Sequence, residues 1–270
     1  MLEYITKMLN SVAAVQFIKR IGSGKTKPCL LSCFLESGEE IEVIAKFSAG
    51  CERGVGGLVA EAIAAMLAVD LDLPIPEPTL VEIDPDFVGT IPDMEDADRM
   101  RASVSVAFGS KKLPPGFSLV PKDKAIPRAL AVQAVEIFAF DALIQNPDRR
   151  PENPNCLSDG RNFAIFDHEL AFMTKGIVGW KPPWKVGGLS FFSHSGVHIF
   201  YNELKGKALN FDRLAGAWEA VSDARLQKYE KALPLVWAND GGVAQAALTY
   251  VAQVRNNIGS ALAEVTRILQ

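Results

Sequence analysis

The residues Asn146-Pro147-Asp148-Arg149-Arg150-Pro151-Glu152-Asn153 join an expected buried helix to an expected strand, and they present a carboxylate and an amide in a D-x-x-x-x-N arrangement. At that spacing Asp148 and Asn153 can share one cation and one nucleophile. A second acid follows at Asp167, in Phe166-Asp167-His168-Glu169, directly after a short strand. Phosphoryl transfer uses such a set. One carboxylate orients the attacking hydroxyl or accepts its proton, while an amide and a second carboxylate hold Mg2+ against the phosphate oxygens. Taken alone, D-x-x-x-x-N equally describes an Asx-type turn closed by side-chain hydrogen bonds, so its weight depends on what accompanies it.

The first third of the chain supplies that company. Glu42-Val43-Ile44-Ala45-Lys46-Phe47 resembles the V-A-I-K strand of protein kinases, whose lysine grips the α- and β-phosphates. Glu61 follows on an expected helix, where it can hold that lysine. Read singly, Lys46 is a snorkelling strand-edge lysine and Glu61 a solvated helix face; their order ahead of Asp148 and Asp167 favours the pair. Upstream, Arg20-Ile21-Gly22-Ser23-Gly24-Lys25-Thr26 joins two strands where a phosphate-covering loop belongs. Gly22, Ser23 and Gly24 form either a hairpin whose N–H groups face phosphates or a bare turn. A Walker A loop is rejected, because it requires Gly where this chain has Lys19, and Pro28 and a strand follow instead of a helix. Phe108-Gly109-Ser110 falls at the expected hinge, where an extended backbone would meet adenine. His194 and His198 have H-x-x-x-H spacing on an expected helix, but no third ligand argues for zinc. Trp180 and Trp184 belong either to a substrate platform or to a partly packed aromatic loop.

These side chains need elements to hold them. The hydrophobic period is near two up to about residue 56 and near 3.6 beyond it. Residues 13–20, 28–36 and 41–47 read as a strand meander, 57–71 as a helix ended by Pro74 and Pro76, and 78–83 and 103–108 as two further strands. The acidic, proline-containing stretch 84–101 is expected to be a surface excursion. Breakers cluster at 109–127, which predicts a β-rich first lobe over 1–110, a linker over 111–127 and a helical second lobe over 128–270. Within the last, 129–144 reads as a strong helix, 156–157 and 163–166 as a strand pair, and 243–268 as one long apolar helix. Two lobes would put a cleft between them.

Composition narrows the rest. With 270 residues, 49% of them hydrophobic, and a net charge of −4, the chain can bury one large core or two smaller ones and is not a disordered polymer. A pI near 5.5 argues against a nucleic-acid protein working through bulk positive charge. Residues 58–71 and 129–144 are too short or too charged to span a bilayer, and 1–20 lacks the features of a signal peptide. Cys29, Cys33, Cys51 and Cys156 have no C-x-x-C spacing and read as thiols outside any disulfide, so a reduced, cytoplasmic location is expected.

The pattern N-x-D-x-[HR]-x-[KE]-N at 146–153, the strand ending in Phe166-Asp167, and the helix from Glu61 running into Pro74-Ile75-Pro76 together resemble the HipA-like kinase-domain family, distant relatives of protein and phosphoinositide kinases. The resemblance covers about residues 15–230 and is specific in combination. It implies an α+β, bilobal protein-kinase-like fold with a β-rich N-lobe and a mostly helical C-lobe, and a kinase that uses ATP and Mg2+ to phosphorylate a Ser or Thr hydroxyl of a protein. By motif position Lys46 would contact the phosphates, Asp148 would be the catalytic acid/base, and Asn153 and Asp167 would bind metal. Arg150 stands where His is commoner; it would clamp the γ-phosphate or pair with a carboxylate. Asn155 is a second amide nearby, and spacing favours Asn153. The chain lacks the extra N-terminal subdomain of the full-length toxin kinases and resembles a short stand-alone member, which weakens the expectation of an antitoxin-like protein partner. Two alternatives share the plan: a small-molecule kinase of the aminoglycoside-phosphotransferase type and a nucleotide-binding pseudokinase. Neither nucleic acid nor membrane is an expected partner.

Overall fold

The computed structural model describes residues 8–22, 26–122, 125–174, 176 and 178–270. The chain is a mixed α+β protein, strand-rich towards its N-terminus and helical towards its C-terminus. It divides into two compact units: one runs to Met66 and adds Pro76–Leu113 and Gln227–Ala244, and the other holds Leu67–Ile75, Pro114–Leu226 and Gln245–Gln270.

In the first unit β1 (Asn10–Arg20), β2 (Cys29–Leu35) and β3 (Glu40–Lys46) form the expected meander, and helix α1 (Val55–Asp70) follows. After α1 come β4 (Pro78–Glu82), helices α2 (Pro85–Gly89) and α3 (Met94–Arg101), and β5 (Val106–Lys111). The five strands close into a barrel in the order β1-β2-β3-β5-β4, with β4 returning parallel to β1. Closure of so few strands needs strong twist. β1 supplies it through register shifts between Ala14 and Gln16 and between Phe17 and Lys19, since a bulge locally increases right-handed twist. Alternation along β3 sends Ile41, Val43 and Ala45 into the core, where they meet Val12, Leu31 and Val81.

The stretch 84–101, expected as a surface excursion, forms two short helices. Asp84 caps α2 by accepting from the Asp86 N–H at 2.7 Å, with Pro85 at the first helical position, and Asp93 caps α3 by accepting from the Asp96 N–H at 3.0 Å. Phe87, Val88, Ile91, Ala97 and Met100 then join the barrel core. Five inward-facing apolar side chains were enough; Met94, the other large one, is exposed.

In the second unit β6 (Ser118–Leu119), inside the breaker-rich stretch read as a linker, pairs with β7 (Cys156–Ser158), and β7 pairs with β8 (Phe163–Ile165). Helix α4 (Ala131–Leu143) is buried along 134–143, including two acids, Glu136 and Asp141. Glu136 is met by both Nε and Nη2 of Arg213, each at 2.6 Å. The helical remainder of the chain comprises α5 (Tyr201–Leu204), α6 (Asp212–Ala220), α7 (Asp223–Ala232), α8 (Val243–Asn256) and α9 (Ile258–Leu269), with the unit bounds falling inside α7 and α8. The last two were expected as one helix. They break at Asn257, whose Nδ2 donates to the Gln253 carbonyl at 2.8 Å and so competes with the helical ladder. No helix among the described residues is long and apolar enough to cross a membrane.

Gly109 on β5 is closely enclosed: a Cβ there would lie 2.5 Å from Thr79 Oγ1 and Val43 Cγ1 and 2.6 Å from Val81 Cγ2. Gly109→Ala is expected to lose about 1–3 kcal/mol in urea unfolding through overpacking. Gly89→Ala, with nothing within 4 Å of the new methyl, serves as the control and should be neutral or slightly stabilising.

Candidate active site

Lys46 ends β3 and Glu61 lies on α1, and the structure brings them together: Lys46 Nζ donates to Glu61 Oε2 at 2.7 Å, with the two residues 8% and 3% exposed. Two charges so far from water must be paired. Removing one partner of such a pair typically costs about 3–5 kcal/mol, so the pair constrains how β3 and α1 sit together. Gly22, at φ 69°, follows the Ile21 N–H to Pro28 C=O bond of 2.7 Å that closes the β1–β2 hairpin. Ser23 and Gly24 lie outside the described residues. Phe108 is buried in mid-β5, with Lys46 and Leu80 as its ladder neighbours, so the segment read as a hinge is a strand paired on both sides.

The loop after α4 is built residue by residue. Gln145 leaves the helix in a left-handed conformation, φ 57°, with its Nε2 donating to the Ala142 carbonyl at 2.8 Å. Asn146 Oδ1 accepts from the Asp148 N–H at 3.3 Å, an Asx turn that ends the descent. Arg150 and Asn153 then exchange backbone hydrogen bonds of 3.1 and 3.0 Å across Pro151-Glu152, a tight turn with proline at its favoured second position. That turn folds Asn153 back onto Asp148. One carboxylate oxygen of Asp148 accepts from Asn153 Nδ2 at 2.9 Å and from Asn155 Nδ2 at 3.2 Å, and the other from Arg150 Nη2 at 3.0 Å. The Asp148 side chain keeps 20% of its surface exposed and Arg150 keeps 50%. The Phe166 N–H donates to the Asn155 carbonyl at 3.1 Å, which ties the exit of β8 to the same loop, and Asp167 follows with φ 64°.

Sequence reading passed over the groups beneath this loop. Arg149 and Asp141 are both 0% exposed, with Arg149 Nε donating to Asp141 Oδ2 at 2.5 Å and Nη2 to Oδ1 at 3.2 Å. Asp141 also accepts from Asn146 Nδ2 at 2.7 Å and from His198 Nε2 at 3.1 Å, while His198 Nδ1 accepts from the Phe200 N–H. Burial alone would push the Asp141 carboxyl up, but the Arg149 charge and the His198 hydrogen bond outweigh it and hold the group below the usual carboxylate range. The available signal was two acids, Glu136 and Asp141, interrupting an apolar helix. His194 is exposed and His198 buried in this network, with turns around them in place of the expected helix. Among the described residues no three His, Cys, Asp or Glu side chains are grouped to hold a metal. The cysteines are buried, and burial pushes Cys29 up to about 11 and Cys33 and Cys156 up to about 12, which leaves them protonated and poor nucleophiles. Trp180 and Trp184 pack near the Tyr250 ring, at centroid distances of 6.4 and 6.5 Å, and Trp180 Nε1 donates to Gln145 Oε1 at 3.3 Å.

Burial, outweighing the Asp141 carboxylate, lowers His198 from its ordinary value. The unfolded chain therefore takes up that proton at a higher pH than the fold does. The contribution of His198 to stability is complete above about pH 6.5 and is lost progressively as pH falls below it. Unfolding midpoints should thus be level from about pH 8 to about pH 6.5 and decline towards about pH 5. In His198→Gln, whose amide can still donate to Asp141, that decline should be shallower; an equal slope would place its origin in another group.

The model of the HipA-like kinase family matches residues 14–178, more than half of the chain, and the match takes in Lys46, Glu61, Asp148, Asn153 and Asp167. No curated protein matches the chain. A crystal structure of the Helicobacter pylori proinflammatory kinase CtkA aligns over 97% of this chain and 100% of its own, with a TM-score of 0.49 and 13% sequence identity. On the strength of the family match, the chain belongs to the HipA-like kinases.

Proposed function

We propose that the chain is an ATP-dependent kinase that passes the γ-phosphoryl group of Mg-ATP to a Ser or Thr hydroxyl of a protein. The observation that supports this best is the cradle of Asp148, a partly exposed carboxylate steadied by two amides and one guanidinium. A carboxylate so held is acceptor-only and has a fixed direction. An acceptor hydroxyl donates to it, the hydroxyl oxygen forms its bond to the γ-phosphorus as the bond to the bridging oxygen breaks, and Asp148 takes the released proton.

The donor set suits magnesium. Asn153 and Asn155 both spend Nδ2 on Asp148, which leaves their amide oxygens outside those bonds, and Asp167 adds a carboxylate; these are hard oxygen donors. Asn153 and Asp167 are assigned to hold the ion, which would neutralise charge on the phosphate oxygens. Lys46, kept in place by Glu61, is assigned to the nucleotide phosphates, and the Gly22 turn to covering them. Arg150, half exposed, pairs with Asp148 and is assigned to the γ-phosphate, for which its fork is well shaped.

Incubation with γ-labelled ATP and a cell lysate tests the reading. Label is expected as phosphoserine or phosphothreonine in protein; label confined to small products would move the acceptor to that class. Asp148→Asn should lower transfer by about 10²- to 10⁴-fold, the range of a general base. It should leave stabilisation by Mg-ATP intact, about 2.7 kcal/mol at a hundredfold excess over Kd. Full transfer by that variant would remove Asp148 from the role given to it.

A further inference from the structure

Arg149 is adjacent to Asp148 in sequence, yet its side chain is fully buried and touches no surface that a substrate could reach. A guanidinium has five N–H donors and no acceptor. All five are used here. Nε and one Nη2 donor go to the two oxygens of Asp141, the second Nη2 donor to His168 Nε2 at 2.9 Å, and the two Nη1 donors to the carbonyls of Asn155 and of Phe166, the latter at 3.2 Å. The acceptors come from separate stretches of chain: α4, the far end of the loop, and the exit of β8. Asn155 is itself bonded to the Asp148 carboxylate, and Phe166 immediately precedes Asp167. One planar group is therefore a single residue removed from both acids assigned to the chemistry.

We propose that Arg149, oriented by Asp141, is the positioning residue that sets the placement of Asp167 relative to Asp148. The inference rests on the kinase reading of those two acids. Asp141 is suited to orient it, because Asn146 and His198 occupy its remaining lone pairs and leave the guanidinium one direction of approach. The carbonyls of Asn155 and Phe166 are then held at opposite corners of the Nη1 group. Lysine could not substitute: an ammonium has three donors on one atom and cannot reach five acceptors in a plane.

The experiment compares the wild-type chain with Arg149→Lys at a temperature where both are folded by circular dichroism. It reads binding of an ATP analogue without metal, binding of Mn2+ to the analogue complex by electron paramagnetic resonance, and kcat for phosphate transfer. The variant should keep metal-free nucleotide binding, weaken Mn2+ by about 10- to 100-fold, as loss of a residue that orients ligands does, and lower kcat by about 100-fold, as a displacement near 1 Å does. A purely structural role would leave the folded variant with wild-type metal binding and kcat, and that result overturns the proposal. Should Arg149→Lys fail to fold, His198→Ala removes one hydrogen bond that holds Asp141 while retaining every acceptor of Arg149, and weaker Mn2+ binding with unchanged nucleotide binding is expected; unchanged metal binding overturns the proposal there too. A wild type that transfers no phosphate, with Mn2+ binding still weakened in the variant, would sink the kinase reading and leave the positioning of Asp167 standing.

Discussion

The Asp141–Arg149 pair is the constraint on which the second unit turns. Removing both charges from water carries a desolvation penalty of several kcal/mol per ion, which only excellent geometry and full hydrogen bonding offset. Both conditions hold: Asp141 accepts four hydrogen bonds and Arg149 donates five. Because few backbone paths satisfy all of those partners together, the end of α4, the loop over 146–155 and the exit of β8 have little freedom relative to one another. The pair is weak evidence for stability, since an apolar pair of equal volume can serve as well. It is better evidence for geometry.

Backbone conformation around the loop bears this out. Gln145, Asn155, Asp167 and Phe172 all adopt positive φ, between 43° and 64°. Non-glycine residues avoid that region, and for a bulky phenylalanine it is a true outlier. Such conformations persist where surroundings over-determine them. Here the surroundings can be named: the Phe172 N–H is held by the Ile144 carbonyl at 2.8 Å, Gln145 by Ala142 and Trp180, and Asn155 by Asp148 and Arg149. The first unit uses a related device. Its barrel is ordinary apolar packing, and the buried Lys46–Glu61 pair adds a specific requirement on how α1 meets β3.

Legibility in the sequence followed the range of the physics. The strands of the meander, α1, α4 and the β7–β8 pair declared themselves through local hydrophobic period. The helices α2 and α3 were missed although their caps, Asp84-Pro85 and Asp93 with Asp96, are local signals, because the acidic composition of 84–101 outweighed five inward-facing apolar residues. The break at Asn257 was missed for the opposite reason: apolar period continues through it, and only the side-chain bond to Gln253 interrupts the ladder. His198 was read beside His194 as a spaced pair, whereas its partner is Asp141, far away in the chain.

By itself, the sequence determined the order of the chemical groups: a strand lysine, a helix glutamate, an aspartate and an asparagine in one loop, and an acid after a strand. It did so because chemistry of this kind needs residue types at spacings that local elements preserve. Closure of the barrel through the parallel β1–β4 pairing, the place of Phe108 between Lys46 and Leu80 in the sheet, and the burial of Arg149 beside an exposed Arg150 were decided only in three dimensions. Adjacent arginines are alike in sequence. What separates them is that one finds five buried acceptors contributed by distant segments and the other finds a single partly exposed carboxylate, and no local pattern encodes that difference.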